Sequence, residues 1–391
     1  MKKARIVFII TKLELGGAQQ HVLYTASHLD RDIFEPIIIF GEPDILDDEA
    51  RSLGLECRQV HDMVREIRPR KDISALRAVT RILREIKRRE PELPVLVHTH
   101  SSKAGILGRW AAFFARCDVV IHTYHGFGFT DRQHPLVRNA FIVAERVTRP
   151  ITDAFTCVSR ANIEKGRKTR VLRTEDTALV RSGIDISEFN PEGRDIVAIK
   201  RSIGVPFEAP LVGMVACFKP QKSPVDFVDA AGLVLKNVPD AHFMVAGDGE
   251  LRGDMETRIE QLGLGERMHL LGWRHDVPDL LAAMDVLALT SLFEGLPRVL
   301  PQAMAAGKPA VATAVDGSPE AVSDAKTGFL VEPREIENIA EKITLLLKDA
   351  EMRRRMGEEG MKLVGEFDQD KMVADHQAQY LEMLKRKVDN F

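Results

Sequence analysis

Short apolar runs alternate with amphipathic stretches along the whole chain. The runs are too short for core helices and are bounded by polar or glycine-containing segments, a pattern typical of buried strands. We therefore predict strands near residues 4–10, 35–40, 95–99, 118–123, 154–158, 177–181, 211–216, 242–246, 268–271, 285–289, 309–313 and 328–331. Strands that alternate with helical patterns favour βαβ units and parallel sheets.

The chain is long enough for two domains. It has 391 residues, and the alternation of strands and helices breaks at GIDISEFNP, residues 183–191. Predicted strands lie on both sides of this break. We therefore predict an α/β protein with two Rossmann-like domains, over residues 1–187 and 188–371, followed by a closing helix within residues 372–391.

One segment, residues 290–320, places a carboxylate where a strand leads into a helix. It follows the predicted strand 285–289, turns at Glu294, and continues as a predicted helix from Pro297 to Ala306. This is the edge at which open α/β sheets bind ligands. Glu294 is therefore a candidate acceptor for sugar hydroxyls; the alternative is a helix N-terminal Glu that only stabilises the helix dipole.

Three further candidates follow predicted strands. Gly16 and Gly17 open a helix, where backbone N–H groups can approach a phosphate, although paired glycines also form structural turns. Lys219 and Lys222 precede a helix and could neutralise a diphosphate, or could be solvated loop lysines. His125 follows the strand near 118–123 and is followed by glycine, but a lone histidine is more often structural.

Several other chemistries find no support in the sequence. The G-x-G-x-x-G fingerprint is absent after the first strand, and Gly247-Asp248-Gly249 lacks its third glycine, which argues against a dehydrogenase. No Ser-His-Asp or Cys-His arrangement stands out. His98 and His122 are predicted to be packing residues, and neither a carboxylate nor a cysteine completes a metal site with them. We expect no metal and no cofactor.

Charge divides the chain into a basic and an acidic half. Residues 1–182 carry 31 Lys and Arg against 23 Asp and Glu, which suggests an anionic partner for that half. Nucleic acid is disfavoured, because zinc-finger spacing, an RNA-binding aromatic signature and a basic tail are all missing. Residues 65–89 are predicted to form a basic amphipathic helix with an apolar stripe of Ile73, Leu76, Val79, Leu83 and Ile86. This helix either packs its stripe on the sheet or rests on anionic lipid, and Gly105–Arg116 could add apolar side chains to that surface or simply be core.

The sequence also suggests a compartment. The apolar run Ile6–Ile10 is too short for a signal peptide or a membrane span. The four cysteines form no CxxC pair and lie in or beside apolar runs, as expected for free thiols in a reducing cytoplasm. We expect a cytoplasmic protein, with peripheral contact to the inner face of the cell membrane as a further hypothesis.

The order and spacing of several motifs resemble a known family. The motifs are LGGAQQHVL, HTHSSKAG, YHGFGF, CVSRANIEKG, SGIDISEF, FKPQKSPVDFVDAA, AGDGELR, LLGWRHDVPDLLAAMDVLALTSLFEGLPRVLPQAMAAGKPAVAT and GFLVEP. Together they resemble the retaining glycosyltransferases of family 4, and most of all the members that build exopolysaccharide, capsule or lipopolysaccharide on a lipid carrier. The resemblance implies the GT-B fold, with two Rossmann-like domains facing across a cleft and a C-terminal helix that returns to the N-terminal domain.

The resemblance also implies roles for particular residues, all of them around a nucleotide-sugar donor. These are Gly16 and Gly17 beside the donor phosphates, His125 at the reaction centre, Lys222 with Lys219 on the diphosphate, Glu294 on the sugar hydroxyls, the backbone of Gly295 and Leu296 on sugar or phosphate, and Trp273-Arg274 beside the base. The implied reaction moves the sugar, with retention and without a metal, from a donor that is expected to be a UDP-sugar. The acceptor would be a hydroxyl of a glycan or of a polyprenyl-diphosphate-linked saccharide.

Two residues depart from the family pattern. Gln302 stands where a second glutamate binds the nucleotide ribose, which should weaken donor binding by about 1–2 kcal/mol. Cys217 replaces an arginine that often precedes the motif lysine. These departures keep open the alternative of a catalytically degenerate donor-binding subunit of a polysaccharide assembly complex. A sugar-nucleotide epimerase, which shares the two-domain architecture, is the second alternative.

Overall fold

The structure, a computed structural model, describes residues 3–14, 16–130, 132–389 and 391. The chain divides into a first unit, Met1–Gly183 with Gln369–Phe391, and a second unit, Ile184–Asp368. Both boundaries lie a few residues before those proposed from the sequence. The reason is that the Ile184 amide already donates to the carbonyl of Phe367, which ties these residues together within the second unit.

Strands occur at every place where an apolar run predicts one. They are β1 Ala4–Ile9, β2 Phe34–Phe40, β3 Glu56–Gln59, β4 Val95–His100, β5 Val119–Tyr124, β6 Ala154–Cys157, β7 Thr177–Leu179, β8 Leu211–Val215, β9 His242–Ala246, β10 Met268–Gly272, β11 Val286–Leu289, β12 Ala310–Thr313 and β13 Gly328–Val331. The sequence prediction omits β3, because its residues Glu-Cys-Arg-Gln are mostly polar. They are half-buried at the edge of the sheet and so carry no apolar run.

Helices connect the strands in both units. They are α1 Gly17–His28, α2 Asp47–Ser52, α3 Pro69–Arg89, α4 Ser102–Ala115, α5 Pro135–Thr148, α6 Arg160–Lys168, α7 Ile196–Ser202, α8 Pro224–Val234, α9 Arg252–Gln261, α10 Val277–Ala283, α11 Val299–Ala305, α12 Ser318–Ala321, α13 Ile336–Lys348, α14 Ala350–Leu363 and α15 Gln369–Lys387. The helix expected at Pro297 begins two positions later, at Val299.

The first unit is built on a parallel sheet in the order β3-β2-β1-β4-β5-β6-β7. Side chains of β1 are buried along its whole length, because helices cover both faces of the sheet. On one face α15 packs Tyr380 and Leu384 against a core that includes Phe8 and Phe34. The closing helix therefore belongs to the first unit, as expected.

The opposite face of this sheet is covered by α3 and α4. Val79, Leu83 and Ile86 of α3 are buried there, as the predicted stripe requires. Ile73 was expected in the same stripe, but its side chain is 52% exposed and Ala75 is buried instead. The apolar segment of α4 is also only partly buried. Ala111 and Ala112 lie in the core, whereas Phe113 and Phe114 are exposed.

The second unit has a parallel sheet in the order β10-β9-β8-β11-β12-β13. The chain runs outward in one direction from β8 and in the other from β11, so the topology reverses between these two neighbouring strands. In the first unit the same reversal lies between β1 and β4. Open α/β sheets bind ligands outside the carboxyl ends of the strands at such reversals.

Candidate functional site

A lysine and a glutamate meet at the reversal point of the second sheet. Lys222 lies in the loop after β8, and Glu294 lies in the loop after β11. Lys222 Nζ lies 2.5 Å from Glu294 Oε1, and the two side chains are 17% and 6% exposed. Neighbouring strands thus bring together two residues that are far apart in the sequence. The ion pair that they form is mostly buried.

The carboxylate of Glu294 has further partners. Ser291 Oγ donates to Oε1 at 2.6 Å, and Gln221 Nε2 lies 3.4 Å from Oε2. The backbone N–H of Glu294 donates to Asp316 Oδ2 at 2.7 Å. Glu294 lies five positions before the first residue of α11, so it is not a first-turn residue that stabilises a helix dipole.

Hydrogen bonds to backbone carbonyls join the loop of Lys222 to the loop of Glu294. Thr290 Oγ1 donates to the carbonyl oxygens of Lys222 and Ser223 at 3.0 and 2.9 Å. The Leu292 amide donates to the carbonyl of Gln221 at 2.7 Å. Because these bonds fix the backbones of both loops relative to each other, they also determine how close Lys222 lies to Glu294.

Other predicted residues of this unit lie near the pair or farther along the same edge. Gly295 and Leu296 are buried in the loop of Glu294, and the Gly295 carbonyl accepts from the Gly317 amide at 3.0 Å. Lys219 begins the loop of Lys222, and its side chain makes no ion pair with any residue that the structure describes. Gln302 is half-buried in α11.

Trp273 and Arg274 follow β10, which β9 separates from β8. The Trp273 side chain is 55% exposed. Arg274 is held by Asp276, with Nε to Oδ1 at 2.7 Å, and this hydrogen bond raises the pKa of the guanidinium and lowers that of the carboxyl. These two residues therefore lie at the same sheet edge, two strands from the strand that precedes Lys222 and three from the strand that precedes Glu294.

In the first unit, α1 and the end of β5 approach each other. Gly16 is extended, and Gly17 is the first residue of α1. One turn later, the His21 ring lies against the His125 ring with centroids 4.8 Å apart and an edge-to-face angle of 86°. The predicted glycine turn and the predicted histidine are thus neighbours at the carboxyl edge of the first sheet.

The remaining histidines of this region are interior, as expected for His98 and His122. His98 is hydrogen bonded to the hydroxyls of Tyr380 and Thr123, both at 2.6 Å. Burial holds the pKa of His98 and His122 well below the usual value, with a smaller contribution from neighbouring charges. Among the described residues no group of three His, Cys, Asp or Glu side chains is placed to hold a metal ion.

Sequence reasoning missed several residues that surround Glu294. Ser291, Gln221 and Asp316 hold its side chain and its amide. Arg298 follows in the same loop, and the carboxylate that acts on its charge is that of Glu188. Burial lowers the Arg298 pKa to about 10, so the guanidinium stays protonated at neutral pH. Serine, glutamine and aspartate in loops carry no distinctive pattern, and only their distance in space from Glu294 reveals them.

Two family models match the chain over nearly its whole length. Residues 15–188 match the model described as Glycosyltransferase Family 4, and residues 195–363 match the one described as Glycosyl transferases group 1. The two matches fall on the first and the second unit, respectively.

Individual relatives agree with these matches. The chain is 29% identical over 392 residues to the UDP-Gal:alpha-D-GlcNAc-diphosphoundecaprenol alpha-1,3-galactosyltransferase of Escherichia coli, covering 98% of both chains. It is 29% identical over 203 residues to the lipopolysaccharide core biosynthesis glycosyltransferase LpsE of Rhizobium meliloti, covering 52% of this chain and 57% of LpsE.

The fold has close counterparts among solved structures. Anabaena Alr3699/HepE, crystallised with UDP and glucose, superposes with a TM-score of 0.82 at 21% identity and covers 97% of this chain and 99% of its own. At this identity the likeness concerns the fold, which is GT-B. The two family models and the full-length relative show that the chain belongs to the family 4 glycosyltransferases.

Proposed function

We propose that this glycosyltransferase moves a sugar from a UDP-sugar to a hydroxyl of a lipid-linked or glycan acceptor, with retention of configuration, in cell-surface polysaccharide biosynthesis. The observation that carries this proposal is the pairing of Lys222 with Glu294 at 2.5 Å where the strand order reverses. The Lys222 ammonium can bind the diphosphate of the donor, and the Glu294 carboxylate can accept hydrogen bonds from the hydroxyls of its sugar.

The comparisons support this choice of substrates. The E. coli relative that matches the whole chain is named for a UDP-galactose donor and a diphosphoundecaprenol-linked acceptor. The Anabaena neighbour was crystallised with UDP and glucose. We carry the nucleotide and the class of acceptor over to this chain as a proposal.

The proposed step breaks the bond between the anomeric carbon and the diphosphate oxygen. UDP leaves with the electron pair, and Lys222 together with the N-terminus of α8 stabilises the charge that develops on it. The acceptor oxygen bonds to the anomeric carbon from the same face, and its proton passes to the departing phosphate oxygen. Positive charge from the protein replaces a bound metal, so the reaction is proposed to be metal-independent.

Further residues are proposed to position the donor. Glu294 accepts hydrogen bonds from the sugar hydroxyls, and His125 contacts the sugar at the reaction centre. Gly16 and Gly17 present the first turn of α1 to the donor phosphates. Trp273 and Arg274 are proposed to flank the base.

The test is transfer or donor hydrolysis measured with a panel of UDP-sugars, with EDTA present in a parallel series. We expect UDP release that depends on acceptor and is unchanged by EDTA. Complete loss with EDTA would contradict the metal-free proposal. Conversion of the UDP-sugar without acceptor would indicate an epimerase, and donor binding without turnover would indicate a binding subunit.

Gln302 allows a direct test of the binding-subunit alternative. Gln302→Glu restores a charged acceptor for the ribose and should tighten UDP binding by about tenfold, equivalent to about 1–2 kcal/mol, with little change in kcat. Calorimetry of UDP binding measures the first quantity and a transfer assay the second. If the natural protein is inactive and Gln302→Glu becomes active, the chain is a degenerate binding subunit instead.

We further propose that the first unit docks on an anionic membrane surface through the groove beside α3. The groove has a volume of about 970 Å³ and is lined by apolar and basic side chains. It is lined by Ile73, Leu76, Thr80 and Phe114, with Arg77, Arg81, Arg84, Arg88, Arg89 and Glu85. Five arginines against one glutamate leave a net charge of +4, which complements anionic lipid headgroups.

Exposed apolar side chains extend this surface beyond the groove. Phe113 and Phe114 are 53% and 46% exposed, and Trp110 joins them to α5 through an indole hydrogen bond to Thr148. On α5 the exposed apolar side chains are Leu136, Val137, Val143 and Val147. Apolar insertion beside basic residues is the pattern of interfacial binding. No helix in the described ranges is both long and apolar enough to cross a bilayer.

Neutralising two groove arginines should weaken vesicle binding. Arg81→Gln/Arg88→Gln is expected to lower partition to phosphatidylglycerol-containing vesicles by roughly 30-fold, since each basic residue near an anionic surface contributes about 1 kcal/mol. Sedimentation with and without anionic lipid measures the effect. Arg201→Gln/Lys236→Gln, which removes two exposed charges from the second unit, is the matched control. Equal partition of both double variants, or no vesicle binding at all, would contradict docking on a membrane through this groove.

A further inference from the structure

The two oxygens of the Glu294 carboxylate are engaged to different degrees. Oε1 lies 2.5 Å from Lys222 Nζ and accepts from Ser291 Oγ at 2.6 Å. A carboxylate oxygen offers two lone pairs, so these two donors occupy Oε1. In the part of the chain that the structure describes, Oε2 has a single hydrogen-bond partner, Gln221 Nε2, at 3.4 Å. This distance exceeds the usual range for an N–H···O bond, so Oε2 can accept a further hydrogen bond.

The orientation of the Gln221 amide group follows from its neighbours. Its Nε2 lies 3.0 Å from the carbonyl oxygen of Phe293 and 3.4 Å from Glu294 Oε2, and both of these atoms can only accept. The amide nitrogen must therefore be the atom that faces them. One N–H of Gln221 is used by Phe293, whereas the N–H that faces Glu294 is only weakly engaged. Gln221 is half-buried, so a ligand can reach its amide group.

The backbone beside Gln221 is held independently of the Gln221 side chain. The Leu292 amide donates to the Gln221 carbonyl at 2.7 Å, and Thr290 Oγ1 donates to the Lys222 carbonyl at 3.0 Å. These bonds join the loop after β8 to the loop after β11 through main-chain oxygens. The Gln221 side chain is therefore not needed to bring Lys222 close to Glu294.

A hydroxyl group matches the two neighbouring atoms, Glu294 Oε2 and Gln221 Nε2. It can donate its proton to a carboxylate and, at the same time, accept a hydrogen bond from an amide N–H. A substituted hydroxyl has no proton for the carboxylate, and a deoxy position can neither donate nor accept. Because both protein atoms would then lose their partner, the two residues favour a sugar with a free hydroxyl at this place.

We infer that Gln221 is a specificity-determining residue that contacts the transferred sugar together with Glu294, and that the two residues select a nucleotide sugar with a free hydroxyl at the contacted position. This inference rests on the proposed function, since it requires that Glu294 binds the sugar. Gln221 directly precedes Lys222 in the chain. The loop after β8 would thus bind the diphosphate with one residue and the sugar with its neighbour.

Calorimetric titrations of UDP, UDP-glucose, UDP-galactose and the 2-, 3-, 4- and 6-deoxy forms of both sugar nucleotides test this contact. In the natural protein, we expect the loss of one particular hydroxyl to weaken binding by roughly tenfold to 100-fold, because it leaves Glu294 and Gln221 without their partner.

Gln221→Met tests the contribution of the amide, because methionine is similar in length and cannot donate. It should weaken binding of every sugar nucleotide that keeps the contacted hydroxyl by about fivefold to tenfold, the usual effect of one lost hydrogen bond. Binding of UDP, and of the deoxy form that lacks this hydroxyl, should change by less than about twofold, because neither can contact Gln221 in this way.

Gln302→Met is the matched control. It makes the same substitution at another half-buried glutamine of the second unit, whose proposed partner, the ribose, is common to all of these ligands. It should leave the ratio of affinities between each sugar nucleotide and its deoxy forms unchanged. If Gln221→Met also leaves these ratios unchanged, its side chain only supports the loop and the inference is wrong. Unchanged binding of every ligand in Gln221→Met would overturn it as well.

Failure of the inference and failure of the proposed function give different results. If the natural protein binds neither UDP nor any of these sugar nucleotides, the donor assignment fails and the inference fails with it. If it binds the sugar nucleotides but tolerates the loss of each hydroxyl equally, the inference alone is wrong.

Discussion

Replacing Lys222 with alanine is expected to lower kcat for glycosyl transfer by about 10²- to 10³-fold, the usual loss when one preorganised donor to a developing negative charge is removed. The ammonium lies at the end of β8, where strand order reverses, and its partner Glu294 is mostly buried. Few groups can compensate for it in such a site. A transfer assay with a UDP-sugar, corrected for folded protein, measures the loss.

Stability must be separated from catalysis in that experiment. Lys222→Ala leaves the Glu294 carboxylate buried without its cation, which should cost about 1–3 kcal/mol of unfolding free energy. Lys222→Ala/Glu294→Gln removes the orphaned charge, so it should regain stability but no activity. Arg258→Ala breaks an ion pair of equal length, to Asp229, between α8 and α9, and should leave activity unchanged. Near-natural rates in Lys222→Ala would remove the lysine from the site.

Glu294→Gln should lower kcat/KM for transfer by roughly tenfold to 100-fold, because charge-assisted hydrogen bonds to sugar hydroxyls contribute about 1.5–3 kcal/mol. The glutamine keeps the size of the side chain and can still accept from Ser291, which now donates at 2.6 Å. Circular dichroism and thermal unfolding should therefore change little. The transfer assay measures the effect, with the UDP-sugar varied.

Ser291→Ala is the companion variant for Glu294→Gln. It removes one hydrogen bond to the carboxylate and leaves the charge in place, so its loss should be the smaller of the two. If Ser291→Ala and Glu294→Gln reduce transfer equally, loop geometry rather than the carboxylate is responsible. If neither variant affects transfer, Glu294 does not bind the sugar.

Most of the fold follows from the sequence because buried parallel strands need apolar runs. β8 and β11 carry such runs and were predicted within a residue or two, whereas β3 is polar and half-buried and was not. Ile73 shows the limit of helical periodicity. Its spacing matches the buried stripe of α3, yet it lies in the first turns of the helix and is exposed.

The candidate site was predictable only in part. Glu294 and Lys222 follow strands, and general rules place such residues at one sheet edge, but β9 and β10 intervene between β8 and β11 in the chain. The sequence therefore does not show that their loops are neighbours. Asp316 and Ser291, which hold Glu294, and the contact of His100 with His125 depend on tertiary packing and leave no local pattern.

The most direct measurement is a calorimetric titration of UDP, in EDTA, into the natural protein, Lys222→Ala and Glu294→Gln. Without ligand, Lys222 is engaged by Glu294, so a diphosphate must compete with that carboxylate for it. We predict that Lys222→Ala weakens UDP binding by roughly tenfold to 100-fold, while Glu294→Gln binds UDP at least as tightly as the natural protein. Equal affinity in all three proteins, or an equal loss in both variants, would contradict a diphosphate held by Lys222 and a sugar held by Glu294.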